Sequence, residues 1–156
     1  MKRHLVFIPI AEDELGVLAG DPPVVDRPAY TVTPELLAEL GYAEAESEDA
    51  EYAALILASL AGLAAHGVRL VVVAEVTEDL IGPAEDPANG EVRLSSCPVS
   101  AMTAWFAEEE GVDYADAAAI ARGLTIDQAW DLPEVQALLQ SHELLWNDRV
   151  EYRRGT

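Results

Sequence analysis

The sequence predicts an α/β domain built on a mixed sheet flanked by helices, and three observations carry that reading. Two short apolar runs, Leu5-Val6-Phe7-Ile8-Pro9-Ile10 and Leu70-Val71-Val72-Val73-Ala74, show no polar alternation. Such strands are covered on both faces and belong in the middle of a sheet, and we expect the two to lie parallel as neighbours or near-neighbours. Between them, from about Ser47 to Ala65, Tyr52, Ile56, Leu60 and Leu63 recur at helical spacing, and Gly67 follows as a stop. The 156 residues are 51% hydrophobic, and a chain of this length buries roughly 70% of its unfolded surface around one core. A single domain over residues 1–156 is expected.

The other elements follow from punctuation. Ala11 to Leu18 suits a short helix ended by Gly20-Asp21-Pro22-Pro23. Tyr30-Thr31-Val32 reads as a brief extended segment, after which Thr33 is placed to cap a helix with Pro34 at its first position and Gly41 just past its end. Glu48, Asp49 and Glu51 fall in the first turn of the long helix, where the dipole favours negative charge. Gly82 to Gly90 is a loop leading through Asn89-Gly90 into Glu91-Val92-Arg93-Leu94. Met102 to Ala107 makes a further strand. Asp113 and Asp116 bracket the start of an alanine-rich helix ending at Gly123, and Thr125 with Gln128 has the spacing of a capping box. Asp131-Leu132-Pro133 opens a last helix to about Gln140, and Glu143 to Asn147 reads as a closing strand. This order also permits a ferredoxin-like α+β sandwich with helices on one face. The apolar central strands leave no polar face, which favours the mixed sheet, or a sandwich whose open face is covered by a loop or a second subunit.

Charge excludes more than it assigns. Nine Lys and Arg stand against 29 Asp and Glu, a net charge of −20. That field repels phosphate backbones, so no direct nucleic-acid binding is expected. No lysine or arginine occurs between Arg27 and Arg69, a span holding Glu35, Glu39, Glu44, Glu46, Glu48, Asp49 and Glu51. It is either a solvated surface or a face for a basic partner or for mimicry of nucleic acid. The apolar N-terminal run ends at Ile10 before Glu12-Asp13-Glu14, and no apolar stretch approaches the length of a membrane span. A cytoplasmic protein is expected, and the lone Cys97 has no internal disulfide partner.

Chemistry is sparse. Ser141-His142-Glu143-Leu144-Leu145-Trp146 begins like a zinc-protease helix, but the second ligand position holds Trp146. There is no phosphate loop, nucleophile elbow, CxxC pair or calcium loop, and Glu12-Asp13-Glu14 places negative charge where a pyrophosphate would sit after the first strand. No cofactor or metal is expected. Cys97 reads as a small buried hydrophobe or, beside a histidine, a nucleophile. On a closing strand His142, Leu144 and Trp146 would share one face and Glu143, Leu145 and Asn147 the other. Leu144, Leu145 and Trp146 then read as core; the functional alternative has His142 and Trp146 lining a small pocket.

Val6-Phe7-Ile8-Pro9, Tyr30-Thr31-Val32-Thr33-Pro34, Glu51-Tyr52-Ala53-Ala54, Arg69 to Ala74 and His142-Glu143-Leu144-Leu145-Trp146 together resemble an actinobacterial family of uncharacterised proteins, DUF6912. The likeness spans nearly the whole chain. The family pattern has an aromatic residue after the tryptophan where this chain has Asn147. The resemblance implies a bacterial cytoplasmic protein and transfers no catalytic residue.

The leading expectation is therefore a non-enzymatic binding or regulatory domain that acts through a protein partner, for which a basic surface is the natural complement. Tyr30, Arg69, His142, Glu143 and Trp146 form the candidate pocket or partner-binding set. The alternatives are a small hydrolase or transferase using His142, Glu143 or Cys97, and an acidic nucleic-acid mimic.

Overall fold

The apolar runs form the middle of the sheet, as their lack of alternation requires. The computed structural model describes residues 3–14, 24–41 and 47–148. The first run is β1 (Arg3–Pro9) and the second becomes β3 (Val71–Thr77). Phe7, Val71 and Val73 pack into one core, while Val6, Ile8, Val72, Ala74 and Val76 pack into another on the opposite face. The remaining strands are β2 (Val24–Tyr30), β4 (Ile81–Gly82), β5 (Glu91–Cys97), β6 (Met102–Ala107) and β7 (Leu145–Asp148). Among the described residues the sheet order is β4-β5-β2-β1-β3-β6-β7.

The α/β class and the central position of both runs hold, but the expected parallel pairing does not. β1 and β3 are antiparallel neighbours in register from Arg3↔Thr77 to Pro9↔Val71, and every other pairing in the sheet is antiparallel as well. The physical reason is a strand the sequence conceals. β2 carries Asp26, Arg27 and Pro28, and proline cannot donate to a ladder. β2 reverses the chain before the helices bring it back to the other flank of β1.

The sheet is strongly curled. β5 and β6 stand four strand spacings apart, about 19 Å in a flat sheet, yet only Pro98 to Ala101 join them. Five Cα steps span at most about 18 Å when fully extended, and a 3-10 turn at Val99–Ala101 shortens the path further. A register shift at Val73/Ala74 adds local bend. The concave face is therefore filled by its own side chains, including Leu94, Met102 and Trp105.

Helices cover the other face. They are α1 (Pro34–Leu40), α2 (Ser47–His66), α3 (Ala115–Ala121), α4 (Ile126–Trp130) and α5 (Pro133–Ser141). Leu36, Leu60, Ala117, Ile126 and Leu138 join the core beneath them. Thr33 caps α1 by accepting from Leu36 N at 3.0 Å, and Gly41 ends it at φ 72°. The Thr125–Gln128 capping box opens α4 as its spacing predicts. Of the helix expected over Ala11 to Leu18, residues 12–14 form a 3-10 turn, and residues 15–18, with Gly20 to Pro23, lie outside the described residues. The loop before β5 contains a 3-10 turn at Pro87–Asn89, and Gly90 follows at φ 81°. A β-carbon at Gly90 would stand 2.5 Å from Thr31 O, so this turn admits no side chain.

Candidate functional site

The helical layer stops short of one sheet edge. β6 and β7 turn Ala104, Phe106 and Trp146 toward the helix side, with Phe106 opposite Trp146 in register. The N-terminal half of α2 runs beside them without covering them. The gap is an open groove of about 340 Å³ floored by Leu5, Phe7, Val73, Ala104 and Phe106, with Tyr52 and Trp146 among its walls. A smaller recess of about 130 Å³ continues it, because Tyr52, Leu55 and Phe106 line both. The recess adds Arg69, His142 and Glu143. Along α2 the lining runs from Glu51 to Ser59, about 12 Å at 1.5 Å per residue.

Arg69 holds the far end of this groove in shape. It is only 3% exposed, and its Nε and Nη2 donate to Glu108 at 2.7 and 2.6 Å. Nη2 also donates to the carbonyl of His142 at 2.9 Å. His142 ends α5 in an extended conformation, its own N–H donating to Leu138 O at 3.0 Å. The guanidinium thus joins the approach to β3, the segment after β6 and the turn into β7. Its charge is compensated inside the protein, so it adds no free cation to the recess.

Two expectations for this segment are overturned. β7 begins at Leu145, so His142 and Glu143 belong to the turn after α5 and do not alternate on a strand. Trp146 is 59% exposed and Leu145 48% exposed, so neither is core; Leu144 alone of the three packs against it. The cause is position: β7 is an edge strand beyond the reach of the helices. Tyr52, expected on the buried stripe of α2, is 53% exposed for the same reason.

Four members of the sequence-derived set, Arg69, His142, Glu143 and Trp146, therefore line the groove or its recess. Tyr30 does not. It is buried near the C-terminal half of α2, beside a separate cavity of about 310 Å³ lined in part by Glu85, Asp86 and Glu91. Burial, and then the charges of Glu91 and Asp86, push its phenol well above the ordinary range. Two of these acids also brace their own loop: Glu91 accepts from Asp86 N at 3.0 Å and Asp86 from Asn89 Nδ2 at 2.7 Å.

A model of a family of unknown function, DUF6912, matches residues 4–154. The chain belongs to that family. No curated protein and no solved structure matches it. In this DUF6912 protein two of the segments that carry the resemblance, Tyr30 to Pro34 and His142 to Trp146, are structural staples. Thr31 Oγ1 donates to Leu5 O at 2.7 Å, and Thr33 Oγ1, besides capping α1, donates to Pro87 O at 3.1 Å. Tyr30 to Pro34 thereby ties β1, α1 and the loop before β5 together. His142 to Trp146 is tied through the Arg69 bond, and Asn147 donates from its side chain to Leu145 O at 3.1 Å.

Of the reactive candidates, His142 and Glu143 line the recess, whereas Cys97 lies apart from it in the other core. Cys97 is 1% exposed in the concave core, and burial raises its thiol to about 11. Almost none of it is thiolate at neutral pH. We expect Cys97 to react with a disulfide reagent at pH 8 at least about a hundredfold more slowly in the native protein than in urea; full reaction within mixing would contradict its burial. His4 lies 3.5 Å from Glu78, and burial lowers the pKa of His66. Among the described residues no three His, Cys, Asp or Glu side chains gather as metal ligands, and no helix is long and apolar enough to cross a membrane. Of the acidic span, Glu35 and Glu39 lie on α1 and Glu48, Asp49 and Glu51 on α2, while Glu44 and Glu46 lie outside the described residues.

Sequence reasoning missed Glu51, Tyr52 and Phe106 as groove residues. Only Tyr52 carried a signal: it stands at the fringe of the apolar stripe of α2, directly after an acidic turn.

Proposed function

We propose that this DUF6912 protein is a non-enzymatic binding or regulatory domain of the cytoplasm that docks a protein partner in the groove between α2 and the β6–β7 edge. One observation carries the reading: two large aromatic side chains, Tyr52 and Trp146, are each more than half exposed beside an apolar floor. Soluble monomers rarely leave a contiguous apolar surface of this kind without an interaction to make, and tryptophan and tyrosine are the side chains that dominate binding energy at interfaces. The hydrolase or transferase alternative, which would use His142, Glu143 or Cys97, draws less support, since Cys97 is buried in the other core and no thiol stands beside His142 and Glu143 in the recess.

Trp146→Ala is expected to lower stability by less than about 1 kcal/mol, as for other exposed positions, while abolishing capture of a partner from a lysate of the source cells. Tyr52→Ala alone should weaken capture, and combined with Trp146→Ala it should leave none. Capture of the same partner at full yield by both variants would refute the groove. Mimicry of nucleic acid by the acidic face predicts that opposite result, because it needs neither ring.

A further inference from the structure

Resting on that docking reading, we propose that the groove takes an arginine-bearing segment of the partner, its apolar side chains on the Phe7–Val73–Phe106 floor and its guanidinium groups against Tyr52, Trp146 and the carboxylates at either end. Glu51 lines the groove and Glu143 its recess. The adjoining first turn of α2 adds exposed Glu48 and Asp49. Arg69, the one Lys or Arg in the lining among the described residues, is already neutralised by Glu108. An apolar floor bordered by carboxylates and aromatic rings complements a cationic, apolar-anchored segment. It opposes a second copy of a chain that itself carries a net charge of −20. The rings choose between the two cations: a planar guanidinium stacks on an aromatic face while pairing with a carboxylate, whereas a compact ammonium holds its water more tightly.

The test uses three fluorescent twelve-residue peptides of alternating leucine and charged residues, bearing arginine, lysine or glutamate, with anisotropy read against the wild type, Trp146→Ala, Trp146→Phe and Glu51→Gln/Glu143→Gln. The arginine peptide should bind saturably. Trp146→Ala should weaken it by about tenfold and Trp146→Phe by less. The double Gln variant should weaken it several-fold and flatten its salt dependence, since exposed charges are screened over about 8–10 Å at physiological ionic strength. Lysine peptide should bind several-fold more weakly and glutamate peptide not at all.

Equal binding of the arginine and lysine peptides, or arginine binding indifferent to Trp146→Ala, would overturn the proposal. Glutamate-peptide binding that does depend on Trp146 would overturn it while leaving the groove a docking site. Loss of Trp146 dependence for every peptide and for the captured partner alike would overturn both. Self-association by sedimentation that Trp146→Ala abolishes would assign the groove to a second copy and overturn the arginine assignment.

Discussion

Val72→Asp is expected to remove most or all of the stability of the fold at neutral pH. Val72 is 0% exposed on the central strand β3, between Ile8 of β1 and Trp105 of β6 on the concave face. A carboxyl placed there either buries a charge or is forced neutral. Fully buried acids are raised by about 3–5 pKa units, so at pH 7, about 3 units above its unfolded value, the group is held mostly neutral, which at 1.36 kcal/mol per unit costs roughly 4 kcal/mol. Lost valine burial adds about 1.5 kcal/mol or more. The sum rivals the whole stability of an ordinary domain, about 5–15 kcal/mol.

The sign of the pH dependence is fixed by the direction of that shift. The new acid binds its proton more tightly folded than unfolded, so the destabilisation is full above its folded pKa and shrinks as pH falls toward the unfolded value near 4. Urea unfolding of Val72→Asp, Val72→Asn and wild type at pH 7.5 and 4.5 reads this directly. The Asp variant should lose the most at pH 7.5 and approach the Asn variant at pH 4.5. A loss below about 1 kcal/mol at pH 7.5 would mean that β3 is not covered on its concave side.

The features that were legible in the sequence are those in which one residue type has one meaning. A run such as Val71-Val72-Val73-Ala74 must be covered on both sides, and Thr33-Pro34 with Gly41, or Thr125 with Gln128, fixes a helix end locally. Strand direction is different in kind, because it counts every chain reversal. One strand hidden by Asp26, Arg27 and Pro28 was enough to invert the expected β1/β3 pairing. The closure of the concave face was equally hidden: the short Pro98-to-Ala101 link matters only once β5 and β6 are known to be far apart in the sheet order.

The groove was half legible for a related reason. Leu144-Leu145-Trp146 is apolar whether a core or a partner covers it, and the sequence alone favours the core. Exposure of Trp146 follows from the helical layer ending short of β7, which is a property of α2 and α5 rather than of Trp146. Arg69 shows the converse. A lone arginine ahead of a strand suggests a surface or a site, yet it is one of the most buried polar groups among the described residues.

Arg69→Met is expected to cost about 3–5 kcal/mol, the usual penalty for removing one partner of a buried ion pair. The Glu108 side chain is only 8% exposed, so without the guanidinium its charge has neither water nor a counter-ion around it. Arg69→Met combined with Glu108→Leu removes both charges, and buried pairs replaced together by apolar side chains are often neutral or stabilising. The double variant should therefore recover most of the loss. It will not recover the third bond, from Arg69 Nη2 to the carbonyl of His142, which fixes the turn into β7. The double variant should then unfold near the wild-type midpoint while amide exchange quickens over residues 142–148 and stays slow in β1 and β3. Partner capture should fall with it, because Trp146 is carried on that segment. If the double variant is as unstable as Arg69→Met, the ion pair is not what holds Glu108 in place; if exchange over residues 142–148 is unchanged, Arg69 does not position the groove.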